Sequence, residues 1–146
     1  MQTEVPDKFI KLINKIGDEV LSDDKKSTQF DWSDHLVGKV HKEVQIPMIN
    51  PNDANYCKSI LKENCLMYLK ELINKGRAYI DNMILHHPTK GNLHPTESNI
   101  NISQSWIVSQ YKGEYNPWHQ HSGHLSAVIY LKVPKGMDEF FEKEGE

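Results

Sequence analysis

Two histidines separated by one residue, His119 and His121, are the side chains of this chain best suited to do chemistry. On a strand, residues i and i+2 point to the same face. The two imidazoles would then converge from Cα atoms roughly 6 to 7 Å apart, a workable geometry for two ligands of one metal. Imidazole suits iron, zinc, copper and nickel alike, so the pair does not choose the ion. Trp118 and Tyr115 offer apolar walls beside it, and Gly113 permits a close backbone approach. His124 is open to three readings: a further ligand, a group that holds a ligand in place, or a surface residue. The chain carries eight histidines, enough to make an H-x-H by chance ordinary, and H-x-H-x-x-H is also compatible with a zinc site. Spacing alone leaves these alternatives standing.

The elements that must position this segment fall in a simple order. Phe9, Ile10, Ile13, Ile16 and Val20 recur at helical spacing, and Pro6 suits a first turn, so residues 6–21 read as an amphipathic helix. Residues 22–34 are polar and read as a connecting loop anchored by Phe30 and Trp32. Leu36 to Ile46 has the composition of a short strand with a mixed period. Asn50-Pro51-Asn52-Asp53 is a turn and helix start. A helix over 53–75 follows, with Tyr56, Ile60, Leu61, Cys65, Leu69, Leu72 and Ile73 as its stripe and Gly76 as its C-cap. Ala78, Ile80, Met83 and Leu85 suggest extended chain, and His86-His87-Pro88 with Gly91 to Asn99 a polar loop. From Ile100 the texture is that of a strand meander: Trp106 and Val108 alternate with Ile107, and Lys112-Gly113-Glu114 supplies a turn. Residues 124–133 then read as a strand, with Leu125, Ala127, Ile129, Leu131 and Val133 on one face, closed by Pro134. Helices precede strands, which makes the class α+β. The chain reads as a single domain, 1–146, with a helical part over 1–76 and strands over 77–146.

Residues 105–134 carry a more specific signal. A tryptophan strand (Ser105-Trp106) leads through Lys112-Gly113-Glu114-Tyr115 into His119-Gln120-His121. A strand of the form L-S-x-V-x-Y-L-x-x-P follows as Leu125-Ser126-Ala127-Val128-Ile129-Tyr130-Leu131-Lys132-Val133-Pro134. This segment resembles a family of iron(II)- and 2-oxoglutarate-dependent oxygenases found in bacteria and in phages of the T4-like type. A weaker likeness extends upstream through Leu36 to Val40 and the helix ending near Gly76. The resemblance implies helices packed on a double-stranded β-helix, or jelly roll. It also implies a mononuclear Fe(II) and oxidative decarboxylation of 2-oxoglutarate coupled to hydroxylation of a substrate. His119 and His121 are the metal-binding residues carried over by position. Tyr111, Tyr115, Trp118, Ser126 and Tyr130 are the residues that would line the cosubstrate pocket.

Two departures from the family pattern shape the expectation. Iron oxygenases of this chemistry commonly use two histidines and one carboxylate, and here the second residue after His119 is histidine, so either His121 occupies the carboxylate place or one of the two is not a ligand. Asp138, Glu139 and Glu114 are the conceivable carboxylates, with no spacing that favours one of them. The family's distal histidine and the basic partner of 2-oxoglutarate have no counterpart: no histidine follows His124 and no arginine follows Arg77. A jelly roll needs about eight strands, more than the three or four countable here. The expectation is therefore an incomplete barrel, the N-terminal part of a longer protein or a chain completed by self-association through open strand edges. A cupin-like metal protein is the nearest rival, weakened by Leu125 and Ser126 where the cupin pattern has glutamate. A non-catalytic interaction protein that kept the fold is the rival from another class.

Bulk composition narrows the rest. A net charge of −3, with lysines scattered among acids, gives no basic stripe for nucleic acid. No window approaches the ~20 apolar residues of a membrane span, and Met1 to Pro6 lacks the features of a signal peptide, so a cytoplasmic location is expected. Cys57 and Cys65 lie eight residues apart on one expected helix, roughly 12 Å of rise, too far for a disulfide. They read as buried small apolar side chains. His86, His87 and His94 read as solvated, His35 and His41 as lacking a partner at ligand spacing, and Trp106 as a core aromatic. The substrate, small molecule or peptidyl, is left open.

Overall fold

The structure, a computed structural model, describes residues 4–33, 38–75, 95–117, 121 and 123–135, with 86–87 and 91–92 described for their backbone. Helix α1, Asp7–Leu21, forms where the apolar spacing requires it, and it buries Phe9, Ile13, Gly17 and Val20 along one face. Pro6 stands at its N-cap in extended conformation, one position earlier than expected. The expected loop over 22–34 contains a second helix, α2, Asp24–Gln29. Periodicity could not reveal it, because Ser27 is its one buried residue. Its start is fixed instead by the Asp23 carboxylate, which accepts the amides of Lys25 and Lys26 at 2.9 and 3.1 Å.

The strand expected over 36–46 is confined, among the described residues, to β1, Lys42–Gln45. Residues 34–37 lie outside the described part. Helix α3, Pro51–Asn74, opens on Asn50, whose side chain accepts the Asn52 amide at 2.9 Å. Lys75 closes it in a right-handed conformation, while the expected cap Gly76 and the extended segment through Leu85 lie outside the described residues. Within the expected polar loop, β2 (His86–His87) pairs antiparallel with β3 (Gly91–Asn92), and a 3-10 turn spans Glu97–Asn99. Strand β4, Trp106–Ser109, pairs antiparallel with β1 in the register Lys42↔Ser109, Glu43↔Val108, Val44↔Ile107, Gln45↔Trp106. The chain at 30–32 lies along the other side of β1: the Gln45 amide donates to the Phe30 carbonyl at 2.8 Å and the Trp32 amide to the Glu43 carbonyl at 2.9 Å. β4 pairs with β1 alone among the described residues.

The core sits on one face of this sheet. Val44 and Ile107, directly opposite each other, pack with Phe9, Ile13 and Val20 of α1 and Cys57 of α3. Gly17 sits where a helix interior ordinarily avoids glycine, at a cost of about 0.5–1 kcal/mol. A Cβ there would lie 2.8 Å from Ile107 Cδ1, so α1 approaches β4 closely at this point and an added methyl would have to displace the isoleucine tip. Cys57 and Cys65 are free thiols, Cys57 buried and Cys65 half-buried, as their spacing requires.

Residues 124–133 form no strand among the described residues. They run beside α1, where Asn14 Nδ2 donates to the Leu131 carbonyl at 3.3 Å and Lys132 pairs with Asp18 at 2.6 Å. The expected alternation survives in part: Ile129 and Leu131 pack on the core, while Val128 and Tyr130 face outward. Leu125 and Val133, expected on the inner face, are exposed. Alternation thus encodes a half-buried extended segment here and not a ladder partner. The described residues combine helices with two-stranded sheets, an α+β arrangement, and do not include the closed barrel that the resemblance implies. No helix among them is long and apolar enough to cross a membrane.

Candidate metal and cosubstrate site

The segment leading to the H-x-H pair is fixed by a turn that the sequence announced. The Glu114 amide donates to the Tyr111 carbonyl at 3.0 Å, closing a β-turn whose third residue, Gly113, has φ +85°. That left-handed position is the one a type II turn reserves for glycine. The Glu114 side chain then ties the turn to the approach of β1. Its Oε2 accepts the backbone amides of Tyr111 at 2.7 Å and His41 at 2.9 Å. A pair of backbone hydrogen bonds follows: the Lys39 amide donates to Tyr115 and the Tyr115 amide to Lys39, at 2.9 and 3.0 Å. Gly38 lies so close to Asn116 that a Cβ would meet its Oδ1 at 2.9 Å. The chain at 115–116 is therefore held against 38–39 immediately before the histidine pair.

His119 and Trp118 lie outside the described residues. His121 is exposed, and its imidazole rests against the Trp106 indole with ring centroids 5.5 Å apart and planes at 47°. Trp106 projects from β4 on the face opposite Ile107, so His121 is held on the side of the sheet away from the helical core. Trp106 is half-buried, and it is a platform for His121 as well as the packing aromatic expected. His124 and Ser126 are exposed. Tyr111, Tyr115 and Tyr130 are exposed by 61%, 58% and 68%; the three tyrosines are not gathered around one cavity. The Tyr111 ring leans on His41 at 4.7 Å, giving His41 a partner that spacing did not predict. A cavity of about 240 Å³ lies elsewhere, between the first half of α3 and residues 102–105, with Met48, Cys57, Lys58 and Leu61 on its wall.

Sequence reasoning missed Glu43. Its side chain is 1% exposed, although carboxylates are almost never fully buried without a reason. The register puts it beside Val108 and diagonal to Trp106, on the same face as the indole that holds His121. The mixed period of the 36–46 segment carries no signal for it. Of the carboxylates weighed as ligands, Glu114 is engaged by two amides, and Asp138 and Glu139 lie outside the described residues.

Among the described residues no group of three or more His, Cys, Asp or Glu side chains forms a metal-binding cluster. The donor types that are present, an imidazole on the indole and a buried carboxylate on the same face, are those that suit a mononuclear iron(II). The described residues do not gather these donors into one site. A family model described as "Putative 2OG-Fe(II) oxygenase", 2OG being 2-oxoglutarate, matches residues 104–146. That stretch includes Trp106, the turn at Gly113 and all three of His119, His121 and His124. No curated protein and no solved structure matches the chain.

Proposed function

We propose that this chain carries the proximal part of an iron(II)- and 2-oxoglutarate-dependent oxygenase site, with His119 and His121 as metal ligands. The observation that carries the reading is the Trp106–His121 ring contact, which lies within the stretch matched by the oxygenase family model. It gives one histidine of the pair a fixed seat on the sheet face turned away from the core. Bound iron(II) with 2-oxoglutarate supplies oxidative decarboxylation coupled to substrate hydroxylation.

The residues of the chain have three tasks in this reading. His119 and His121 would hold the metal through their imidazole nitrogens. Trp106 fixes the His121 ring and shields one of its faces from water. The Glu114-tied turn and the Lys39–Tyr115 pairing hold the incoming strand, so that the histidine pair approaches from a set direction. Tyr111, Tyr115, Trp118, Ser126 and Tyr130 are the candidates to contact 2-oxoglutarate, and His124 is a candidate further ligand. The side of β4 that has no partner among the described residues is an edge along which further strands, from another copy or another polypeptide, would complete the sheet.

An anaerobic titration of the purified chain with iron(II) and then 2-oxoglutarate tests the reading. A visible metal-to-ligand charge-transfer band is expected, lost in His119→Ala and in His121→Ala. A band that survives both substitutions, or no iron uptake at all, would refute it.

A further inference from the structure

We infer that the cavity between the first half of α3 and residues 102–105 is a binding site for a small carboxylic acid with an apolar body, its carboxylate met by Lys58. The inference is independent of the metal reading. The ladder of β1 and β4 ends at the Gln45↔Trp106 rung. Beyond it the two chains run on as 46–48 and 102–105, and a cavity of about 240 Å³ opens between them and α3. For scale, an apolar cavity of about 150 Å³ takes up benzene. This one has room for an aryl ring or a short alkyl chain carrying a polar head.

The lining divides by polarity. Ile46, Met48 and Leu61 pack on the core beside Cys57, which is 2% exposed, and they give the cavity an apolar floor. Its rim is polar and exposed, with Lys58 on α3 facing Ser103, Gln104 and Ser105 across the opening. An apolar chamber with a few polar groups at its mouth is the make-up of small-molecule sites. The charge is one-sided: among the described residues Lys58 is the only charged side chain on the wall, and no Asp or Glu lines it. The ion pairs of the described lysines belong to Lys11, Lys42, Lys75 and Lys132. Lys62, one turn further along α3, is committed to the Glu97 carbonyl. An ammonium with hydroxyl and amide donors around it favours an anionic oxygen, because a charged hydrogen bond is the stronger one.

The walls are held before a ligand arrives. The Gln45 end of β1 is fixed on its other side by the Phe30 carbonyl, which accepts the Gln45 amide at 2.8 Å. Lys62 Nζ donates to the Glu97 carbonyl at 3.1 Å and so ties α3 to the 3-10 turn that precedes 102–105. Within that turn the Thr96 amide donates to Asn99 Oδ1 at 2.9 Å. A chamber whose walls are already ordered costs little freedom to fill.

Phenylacetate is the probe for the test, with phenylacetamide as its uncharged counterpart. Each is titrated into the full chain, without metal, and followed by the methyl signals in NMR spectra. The signals of Ile46, Met48, Leu61 and Ile102 are expected to move together and to saturate with a Kd of about 1 mM or tighter. Phenylacetamide is expected to bind at least about threefold more weakly. Lys58→Gln, at an exposed position, should bring phenylacetate down to the affinity of the amide. Ala54→Leu fills the cavity from α3 and should abolish binding of both, with circular dichroism verifying the fold; Lys58→Gln carries the test where Ala54→Leu does not fold. Four results overturn the inference: no movement of these signals up to about 20 mM probe, movement of other signals alone, an affinity for the amide as high as for the acid, or phenylacetate binding unchanged in Lys58→Gln. With no metal present, none of these results bears on the oxygenase reading.

Discussion

Gly17 and Ile107 offer the sharpest test of how the sheet divides into two faces. A Cβ at position 17 would stand 2.8 Å from Ile107 Cδ1, well inside ordinary carbon–carbon contact, and Ile107 is itself 9% exposed in the core. Gly17→Ala gains about 1 kcal/mol of helix propensity. It also overpacks a buried contact, at a cost of about 1–3 kcal/mol. The net expectation is a loss of about 1 kcal/mol, or about 3 °C in Tm for a chain of this length. Ile107→Val removes the clashing Cδ1 and alone costs about 1 kcal/mol. In the double variant the new methyl occupies the vacated space, so the losses should fail to add by about 1–2 kcal/mol. Urea denaturation of wild type, both single variants and the double variant measures this coupling. A stabilising Gly17→Ala would show that the Ile107 tip moves aside at little cost, whereas single effects that add to within about 0.3 kcal/mol would show that positions 17 and 107 are not in contact. The assignment of Trp106 and Glu43 to the opposite face would lose its anchor with that contact.

Three other perturbations bear on the site and the core. Glu114→Ala removes a carboxylate that accepts two backbone amides and should cost about 1 kcal/mol, discounted for exposure; a melting temperature equal to wild type would count against the tie between turn and β1. Trp106→Leu keeps an apolar side chain but removes the ring beneath His121, so iron(II) affinity should fall about 2- to 10-fold, and unchanged affinity by calorimetry would mean that the indole does not position the ligand. Burial, and next the nearby Asp53 charge, push the Cys57 thiol above its ordinary 9.0. The unfolded chain then loses this proton first, so the contribution of Cys57 to stability is fully present below pH 9.0 and declines as pH rises toward the folded value. The stability difference between wild type and Cys57→Ala should shrink across that window, and a difference that grows with pH would contradict the burial.

What could be read from the sequence follows from which signals are local. Helix α1 was legible because it buries one face, with Phe9, Ile13 and Val20 recurring at helical spacing, and α3 because Asn50-Pro51 marks its start. α2 was not, because its start depends on a side-chain cap and it has almost no buried face. The Gly113 turn was legible from a residue type that the backbone conformation demands. The H-x-H pair stands out in sequence as candidate ligand chemistry, with His119 outside the described residues. The platform under His121 was not legible, since it joins residues on either side of that turn. Glu43 was illegible for a sharper reason. The 36–46 segment has a mixed period in sequence, so its pattern placed no residue on either face, and the burial of Glu43 is visible only in the folded chain.

The same four-residue strand, β4, serves both faces, and this links the stability of the site to its register. Ile107 enters the core while Trp106 and Val108 face the other way. A slip of one residue against β1 would exchange these roles completely, sending the indole into the helices and the isoleucine under His121. Four residues make a short ladder, and the two strands alone would hold their register weakly. The extra pairing of Lys39 with Tyr115 and the double acceptance by Glu114 extend the grip beyond the ladder, on the side from which the histidine pair enters. Gly17 opposes a slip from the core side, because its missing side chain matches one isoleucine at one height. The site is therefore specified from outside itself. Substitutions at the turn or at Gly17 should disturb the Trp106–His121 contact without touching either ring, whereas His121→Ala should leave the ladder and the core as they are.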